Sequence, residues 1–167
     1  MFKKLLLAAL VAAPMCMQAQ ALKLGAVNPQ EIFQVMPEAA TAQNTLKAAQ
    51  DKYTAQAKPL QDEYEKKIKE FQTLTDSKAA DDVLQAKAKD IQDLETRIQN
   101  FQQTASQDLQ KQQETLMAPI QTKLQNAIQQ VGAEGGYAAI LYNDMLLYRG
   151  SQVEDLTAKV KAKLGIK

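Results

Sequence analysis

Pairs of carboxylates are the sequence feature that comes nearest to catalytic chemistry. Glu63 and Glu65 are two residues apart, and Asp81 and Asp82 are adjacent, in segments that are predicted to be helical. Side chains at these spacings do not converge on a helix, so neither pair is placed to share a substrate or a metal ion. The chain also has no histidine, and its one cysteine, Cys16, lies within the N-terminal segment that is predicted below to be cleaved off. Histidine-based triads, thiol nucleophiles and most zinc or copper sites are therefore excluded.

Two other short patterns suggest binding chemistry but are explained better by structure. Gly132, Gly135 and Gly136 are not followed by the Lys-Ser/Thr pair of a phosphate loop, and they follow a helix instead of preceding one. They predict the end of a helix. Lys66, Lys67 and Lys69 have acidic neighbours and predict a solvated helix face. We therefore expect no enzyme activity, no cofactor and no metal site.

The N-terminus has the pattern of a secretory signal peptide. Residues 1–21 combine Lys3 and Lys4 with an apolar run over 5–13 and the small-residue triplet "AQA" that ends at Ala21. Pro14 lies two residues before Cys16, at a position where a lipid-anchor site has a small residue. The segment is therefore a poor match to such a site. Cleavage would leave 18 basic (20 − 2) and 19 acidic residues, a net charge of −1. That balance gives no reason to expect nucleic-acid binding, and the remaining chain has no apolar run long enough for stable membrane insertion.

Residues 37–131 predict a long antiparallel helical hairpin, which we call the arm, with its tip near residues 75–78. Apolar residues recur about every 3.6 residues along both predicted helices, as expected for one buried helix face. The first stripe consists of Ala39, Ala42, Leu46, Ala49, Tyr53, Ala57, Leu60, Tyr64, Ile68 and Phe71. The second consists of Leu84, Ala88, Ile91, Leu94, Ile98, Phe101, Ala105, Leu109, Gln112, Leu116, Ile120, Leu124, Ala127 and Val131. Pro59 and Pro119 interrupt the pattern and are expected to kink the helices.

The two ends of the chain, residues 22–36 and 132–167, predict a small β-rich body. "LKLGAV" predicts a first strand, and Asn28-Pro29 predicts the start of a short helix. "YAAILY" and "MLLYR" flank Asn143-Asp144, which favours a two-residue β-hairpin with Tyr142 opposite Met145. Ser151 and Glu154 form a capping box for a last helix that ends at Gly165. The fold class is α+β and mostly α, with the arm inserted between the strands of the body.

Both faces of the predicted hairpin are apolar, and three short strands cannot bury two apolar faces by themselves. The economical solution is burial against further copies of the chain. We therefore predict an oligomer whose interface includes residues of the strands, namely Leu24, Ile140, Tyr142, Leu146 and Tyr148.

The chain resembles the Skp/OmpH family over essentially all of the predicted mature sequence. The resemblance rests on "VNPQEIFQVMPE" after the first strand, on the polar hairpin, on "LMAPIQTKLQNAIQQVGAEGGY", on the segment around Asn143-Asp144, and on "DLTAKVKAKL". It implies a periplasmic homotrimer with three helical arms around a cavity, which holds unfolded outer-membrane β-barrel proteins in solution without ATP. Residues 60–95 mix positive and negative charges, whereas familiar members have strongly basic arms.

A thin apolar stripe is sufficient for two helices to pack against each other, so most of its residues are predicted to pack within the arm. The glutamine-rich flanks would keep a cavity wet and leave only weak contacts for a client protein. The candidate client contacts are Leu60, Tyr64 and Phe71. The alternative interpretation is a structural coiled-coil protein of the cell envelope, a spacer or assembly factor without chaperone activity.

Overall fold

The computed structural model describes residues 22–166 and is dominated by two long helices. The predicted signal peptide and Cys16 lie outside the described residues. In chain order the elements are β1 (Leu24–Val27), α1 (Pro29–Val35), α2 (Pro37–Asp76), α3 (Asp81–Gly135), β2 (Ala139–Tyr142), a 3-10 turn (Asn143–Met145), β3 (Val153–Asp155) and α4 (Thr157–Lys163).

The start of α1 follows directly from the local sequence. The Asn28 side chain accepts a hydrogen bond of 3.1 Å from the backbone N–H of Glu31, and Pro29 occupies the first turn. Met36 is extended, with ψ of 124°, because the residue before a proline is pushed out of the helical region. Pro37 then begins α2, as the sequence predicted.

Helices α2 and α3 form the predicted antiparallel hairpin, and the turn between them spans residues 77–80. Asp76 and Ser77 are residue types that favour the start of a helix, but neither of them caps α3. The Ser77 hydroxyl instead donates to the carbonyl of Leu74, Lys78 takes a positive φ of 54°, and Ala80 is the residue before α3. Ser77 thus completes the end of α2, which leaves the first turn of α3 to begin with Asp81 and Asp82.

Burial along both helices follows the predicted apolar stripe. Ala39 and Ala42 are buried in α2, and the stripe residues beyond them are half-buried. In α3 every stripe residue is buried or half-buried except Ala88, which is exposed while its neighbour Lys87 is half-buried. Pro59 and Pro119 lie inside α2 and α3, and both helices continue past them.

The sheet has three short strands, but its pairing differs from the prediction. β1 is the central strand, and it pairs in parallel with β2 on one side and with β3 on the other. The predicted β-hairpin is wrong, since residues 143–145 form a 3-10 turn and "MLLYR" forms no strand. The second edge of β1 pairs with Val153–Asp155, because a central strand needs hydrogen-bond partners on both edges.

The last helix is shorter than predicted for the same reason. Val153 and Glu154 are in β3, so Ser151 and Glu154 form no capping box, and that prediction is wrong. The Asp155 carboxylate instead accepts a hydrogen bond of 3.0 Å from the backbone N–H of Thr157, the first residue of α4. Gly165 follows the helix with a positive φ of 74°, in agreement with the predicted helix end.

The hydrophobic core lies where the sheet, the short helices and the base of the arm meet. Its most deeply buried side chains are Val27, Ile32, Met36, Leu156 and Val160. It continues up the arm through the buried stripe residues Ala39, Ala42, Ile120, Leu124, Ala127 and Val131. Beyond this base, the buried residues of α3 are Ile91, Leu94 and Ala105. The apolar packing is therefore concentrated at one end of the molecule.

Gly25 lies in β1 against the core, and we predict that Gly25→Ala destabilises the protein by about 1–3 kcal/mol. An added Cβ would overlap the Cδ1 atom of Leu156 and lie 3.0 Å from its Cγ, and Leu156 is fully buried. The measurement is urea unfolding followed by circular dichroism. Gly150→Ala is the matched control, because a Cβ there meets only ordinary van der Waals contacts with Tyr148. Equal stability of the two variants would contradict the packing of β1 against α4.

Candidate functional surfaces

The seam between α2 and α3 uses most of the apolar side chains of the arm. Ile91 and Leu94 are buried in it, and Ile98 is half-buried. Nearer the middle of the arm, the rings of Tyr53 and Phe101 meet edge to face, with centroids 6.0 Å apart and planes at 64°. The outer faces of both helices are consequently left to polar residues.

Two tyrosine–carboxylate hydrogen bonds cross the seam. The Tyr53 hydroxyl donates to Asp108 at 2.7 Å, and the Gln112 amide donates to the same carboxylate at 2.5 Å. Farther along the arm, the Tyr64 hydroxyl donates to Glu95 at 2.8 Å. Each carboxylate acceptor raises the pKa of its tyrosine, since the hydrogen bond and the negative charge both favour the protonated phenol. The bond from Tyr53 lowers the pKa of Asp108 in turn.

Ion pairs add to these contacts along the outer part of the seam. Lys67 lies 3.3 Å from Asp90, and Lys87 lies 3.5 Å from Glu70. These groups remain partly exposed to solvent, so each pair adds little stability. The ion pairs affect the alignment of the two helices, because each pair joins a residue of α2 to one particular residue of α3. The pairs therefore favour one register between the two helices.

Two shallow grooves open on the arm beside the seam. The first, about 510 Å³ in volume, exposes parts of Tyr53, Phe101 and Leu109 between glutamines such as Gln102 and Gln113. The second, about 780 Å³, lies near the tip, where Leu74 and Val83 are surrounded by three acidic and three basic side chains. These acidic and basic residues are Asp62, Glu65, Lys66, Lys69, Glu70 and Lys87. Neither groove is enclosed or carries a net charge, so both are suited to weak contacts.

The candidate client contacts lie on the inner face of α2. Leu60, Tyr64 and Phe71 are half-buried, and Tyr64 is held across the seam by its bond to Glu95. The structure thus places all three beside α3, where part of each side chain remains accessible. Their role in client binding stays a prediction.

The candidate interface residues are distributed over the sheet and the segment after β2. Leu24 and Ile140 are half-buried in β1 and β2, and Tyr142 at the end of β2 is half exposed. Leu146 is half-buried after the 3-10 turn, whereas Tyr148 is 85% exposed. Not all of these residues lie on one side of the body, since the register places Leu24 and Ile140 on opposite faces of the sheet. Their role as an interface stays a prediction.

Asp155 connects the segment after β2 to the rest of the body, and no pattern in the sequence indicated this role. One carboxylate oxygen accepts from Arg149 at 2.7 Å and from the Asn143 amide at 3.5 Å, and the other accepts from the Thr157 N–H. Burial alone would raise the pKa of this carboxyl group, but these hydrogen bonds outweigh it and hold the pKa well below its ordinary value. Asp155 is therefore charged throughout the physiological range and fixes both ends of the segment.

A second polar cluster anchors the base of the arm to the sheet. The Lys23 ammonium donates to the carbonyl of Gly135 at 3.0 Å and lies 4.1 Å from the centre of the Tyr137 ring. Lys159 of α4 donates to Glu154 at 2.5 Å, and this bond lowers the pKa of Glu154. A lysine at the C-terminus of α3 also interacts favourably with the helix dipole. The base of the arm is thus tied to the residue before β1, and α4 is tied to β3.

Within residues 22–166, no group of three or more acidic, histidine or cysteine side chains is arranged to hold a metal ion. None of the helices in this range has the length and apolar character needed to cross a membrane.

The fold, a small sheet at the base of a long two-helix arm, places the chain among proteins with helical arms. Comparison with known proteins identifies its family. The family described as outer membrane protein (OmpH-like) matches residues 23–164. The chain therefore belongs to the OmpH-like family, and the resemblance seen in the sequence is confirmed. No curated protein sequence matches the chain.

One similar solved structure is that of an OmpH-like protein from Caulobacter crescentus, described as a candidate outer membrane chaperone. The two chains are 15% identical, with a TM-score of 0.70 over 86% of this chain and 83% of the other. At this identity the likeness shows the fold, and it confirms the predicted fold class.

The cross-seam tyrosines generate a prediction for alkaline pH. Because the folded-state pKa values of Tyr53 and Tyr64 are raised above about 10, their bonds stabilise the arm below that pH and are lost as the pH rises through the folded-state values. Tyrosinate absorbance should show a late component that Tyr53→Phe and Tyr64→Phe each reduce. A late component unaffected by both arm variants would contradict these hydrogen bonds.

Proposed function

We propose that the protein is an ATP-independent periplasmic holdase chaperone that binds unfolded outer-membrane β-barrel proteins and prevents their aggregation. The observation that carries this proposal is the division of surface along the arm. The seam uses the apolar stripe, and the outer faces keep polar residues with two shallow, partly apolar grooves. Membership of the OmpH-like family and the likeness to a candidate outer membrane chaperone support it.

Client binding is proposed to consist of many weak contacts along the arm. An exposed apolar segment of a client would cover part of a groove edge such as Tyr53, Phe101 and Leu109, or Leu74 and Val83 near the tip. Leu60, Tyr64 and Phe71 would add their accessible portions. Since ordering a client has an entropic cost, contacts of this kind give a modest net affinity. Modest affinity allows release without ATP.

The proposed organisation has three functional parts. Residues 1–21 direct export to the periplasm, residues 22–36 and 132–167 form the body, and residues 37–131 form the arm. Copies of the body assemble into a homotrimer, so that three arms surround one cavity. The core residues are concentrated at the base of the arm. This supports the division into body and arm, because the body stays packed when an arm bends.

Electrostatic attraction is proposed to have a minor role in client capture. Helix α2 carries six lysines and seven acidic residues, and α3 carries five basic and eight acidic residues. Neither helix therefore produces a strong field of one sign that would steer a client from a distance.

The direct test mixes the purified mature protein with a urea-unfolded outer-membrane porin, dilutes the urea and follows turbidity. We expect suppression of aggregation at a ratio of about one assembly per client. Undiminished turbidity, with the protein folded, would favour the alternative interpretation of a structural coiled-coil spacer of the envelope.

Shortening the arm should separate assembly from client protection. Deleting residues 57–67 and 90–100 removes 11 residues from each helix, about three turns and roughly 16 Å of length. The cross-seam contact of Tyr53 with Asp108 and the pair of Lys87 with Glu70 both remain. We expect unchanged assembly by sedimentation and poor protection of a large porin. Full protection by the shortened assembly would contradict the cavity.

Salt should have little effect on client affinity. Raising the salt concentration to about 0.5 M shortens the Debye length to roughly 4 Å and screens exposed charges. Apolar contacts are not weakened by simple salt, so the affinity should change only about two- to fourfold. Fluorescence quenching of one labelled porin across a salt series is the measurement. A loss of about a hundredfold would show that basic residues such as Lys66, Lys67 and Lys69 capture the client.

A further inference from the structure

Two adjacent grooves lie at the junction of the arm with the body. One, of about 510 Å³, runs between α2 and α3, and the other, of about 520 Å³, runs between α3 and the end of α4. Pro119 and Lys123 of α3 line both grooves, so the two form one continuous surface, which we call the base groove. Because its path crosses three helices, the base groove suits an extended chain better than a compact ligand.

The floor of the base groove is apolar and firmly packed. Ala42, Ile120 and Ala127 line it and also belong to the buried core of the molecule. Pro37 and Pro119 are exposed beside them, and a proline presents an apolar ring without a backbone N–H. The apolar surface is therefore formed before any ligand binds, which limits the entropic cost of binding.

The lining of the base groove carries an excess of positive charge. Its charged residues are Glu38, Lys123 and Lys163. Lys163 lies 2.5 Å from Glu134, and Glu134 does not line the groove. The grooves at the tip and in the middle of the arm have balanced charges or none. The base groove is thus complementary to a segment that combines apolar side chains with a negative charge.

Lys123 is the cation best placed to meet such a charge, because it lines both halves of the base groove. Its ammonium group forms an ion pair with Glu38, and about half of each side chain is exposed. An exposed pair of this kind is weak and opens at little cost. An ammonium group also has three N–H donors, which one carboxylate does not use completely. Glu38 is therefore an internal competitor for a carboxylate that approaches Lys123.

We propose that the base groove binds an extended client segment whose apolar residues alternate with polar ones and are followed by a carboxylate, which Lys123 holds. Strands that span the outer membrane have this alternation, because one face meets lipid and the other meets water. In an extended segment every second side chain points to the same side, so the apolar ones cover the groove floor together. The inference rests on the proposed function and specifies which kind of client sequence binds at the base of the arm. One exposed ion contact among many apolar ones agrees with the small effect of salt expected for a whole porin.

The test measures the binding of short labelled peptides to the full mature protein by fluorescence anisotropy. The probe peptide has about nine residues, the length of one membrane-spanning strand. Phenylalanine or valine alternates with serine, the last residue is aspartate, and the C-terminus is amidated. Two matched peptides carry asparagine or lysine in place of the aspartate. At low salt the aspartate peptide should bind about two- to fivefold more tightly than the asparagine peptide, the range of an exposed ion pair, and the lysine peptide should bind most weakly.

Two substitutions with opposite effects locate the binding to the base groove. Lys123→Gln should remove the preference for aspartate, whereas Glu38→Gln should increase it about twofold, because Lys123 loses its competitor. If the ion pair only stabilised the junction, both substitutions would change binding in the same direction. Lys123→Arg should retain the preference. The matched controls, Lys58→Gln and Asp62→Asn, break another exposed pair within α2 and should leave the preference unchanged.

Several results would overturn this site. These are equal affinity of the parent for the three peptides, a preference that survives Lys123→Gln, a preference lost in either control, and a weaker preference in Glu38→Gln. A changed sedimentation mass of Lys123→Gln would also overturn it, since the groove would then join copies of the chain. Far-UV circular dichroism confirms the folding of each variant, and Lys123→Met replaces Lys123→Gln if the latter is poorly folded.

Failure of the site and failure of the proposed function give different results. If the peptides bind as expected while the parent leaves porin turbidity unchanged, the holdase is refuted and the site is retained. If the parent suppresses turbidity but shows no preference among the peptides, the holdase is retained and the site is refuted.

Discussion

The structure depends on the central position of β1. This four-residue strand has hydrogen-bond partners on both edges, and both partners lie more than 110 residues farther along the chain. Such distant segments meet at an acceptable entropic cost only because α2 and α3 fold back on each other and return the chain to its starting point. The seam of the arm is therefore a condition for the formation of the sheet.

The same arrangement explains how a long arm coexists with a small core. The deeply buried residues cluster around β1, the short helices and the base of the arm. The distal arm is held by a thin stripe, by the edge-to-face pair of Tyr53 and Phe101, and by hydrogen bonds that cross the seam. Short-range pairing of this kind stabilises a helical hairpin without the wide apolar face of a globular helix. The outer surface is thereby left free for polar residues.

Local signals in the sequence predicted the local structure well. Asn28-Pro29, Met36-Pro37 and Gly136 determine where helices begin and end, and the apolar period identified the buried face of the arm. The candidate client contacts Leu60, Tyr64 and Phe71 were chosen from this periodic pattern, but no pattern distinguishes a residue that packs in a seam from one that also touches a client. Four of the five candidate interface residues were chosen from a predicted β-hairpin that does not form, so their role stays a prediction.

Non-local requirements overrode the remaining signals. Asn143-Asp144 is a suitable turn and "MLLYR" a suitable strand, yet the free edge of β1 pairs with Val153–Asp155, and this removes both the hairpin and the capping box at Ser151. Asp155 could not be identified in advance, because its three partners approach from a turn, a loop and a helix that only the folded chain brings together.

Exposed apolar surface increases along the molecule from the arm to the body. The arm shows only partial edges of apolar side chains, rimmed by glutamines or by balanced charges. The body shows a fixed loop whose Leu147 is fully exposed. Apolar attraction grows with the area removed from water, so the loop of the body offers the stronger apolar attraction and the arm offers the weaker one. In the proposed function, the weak attraction along the arm is what allows a client to be held briefly and released.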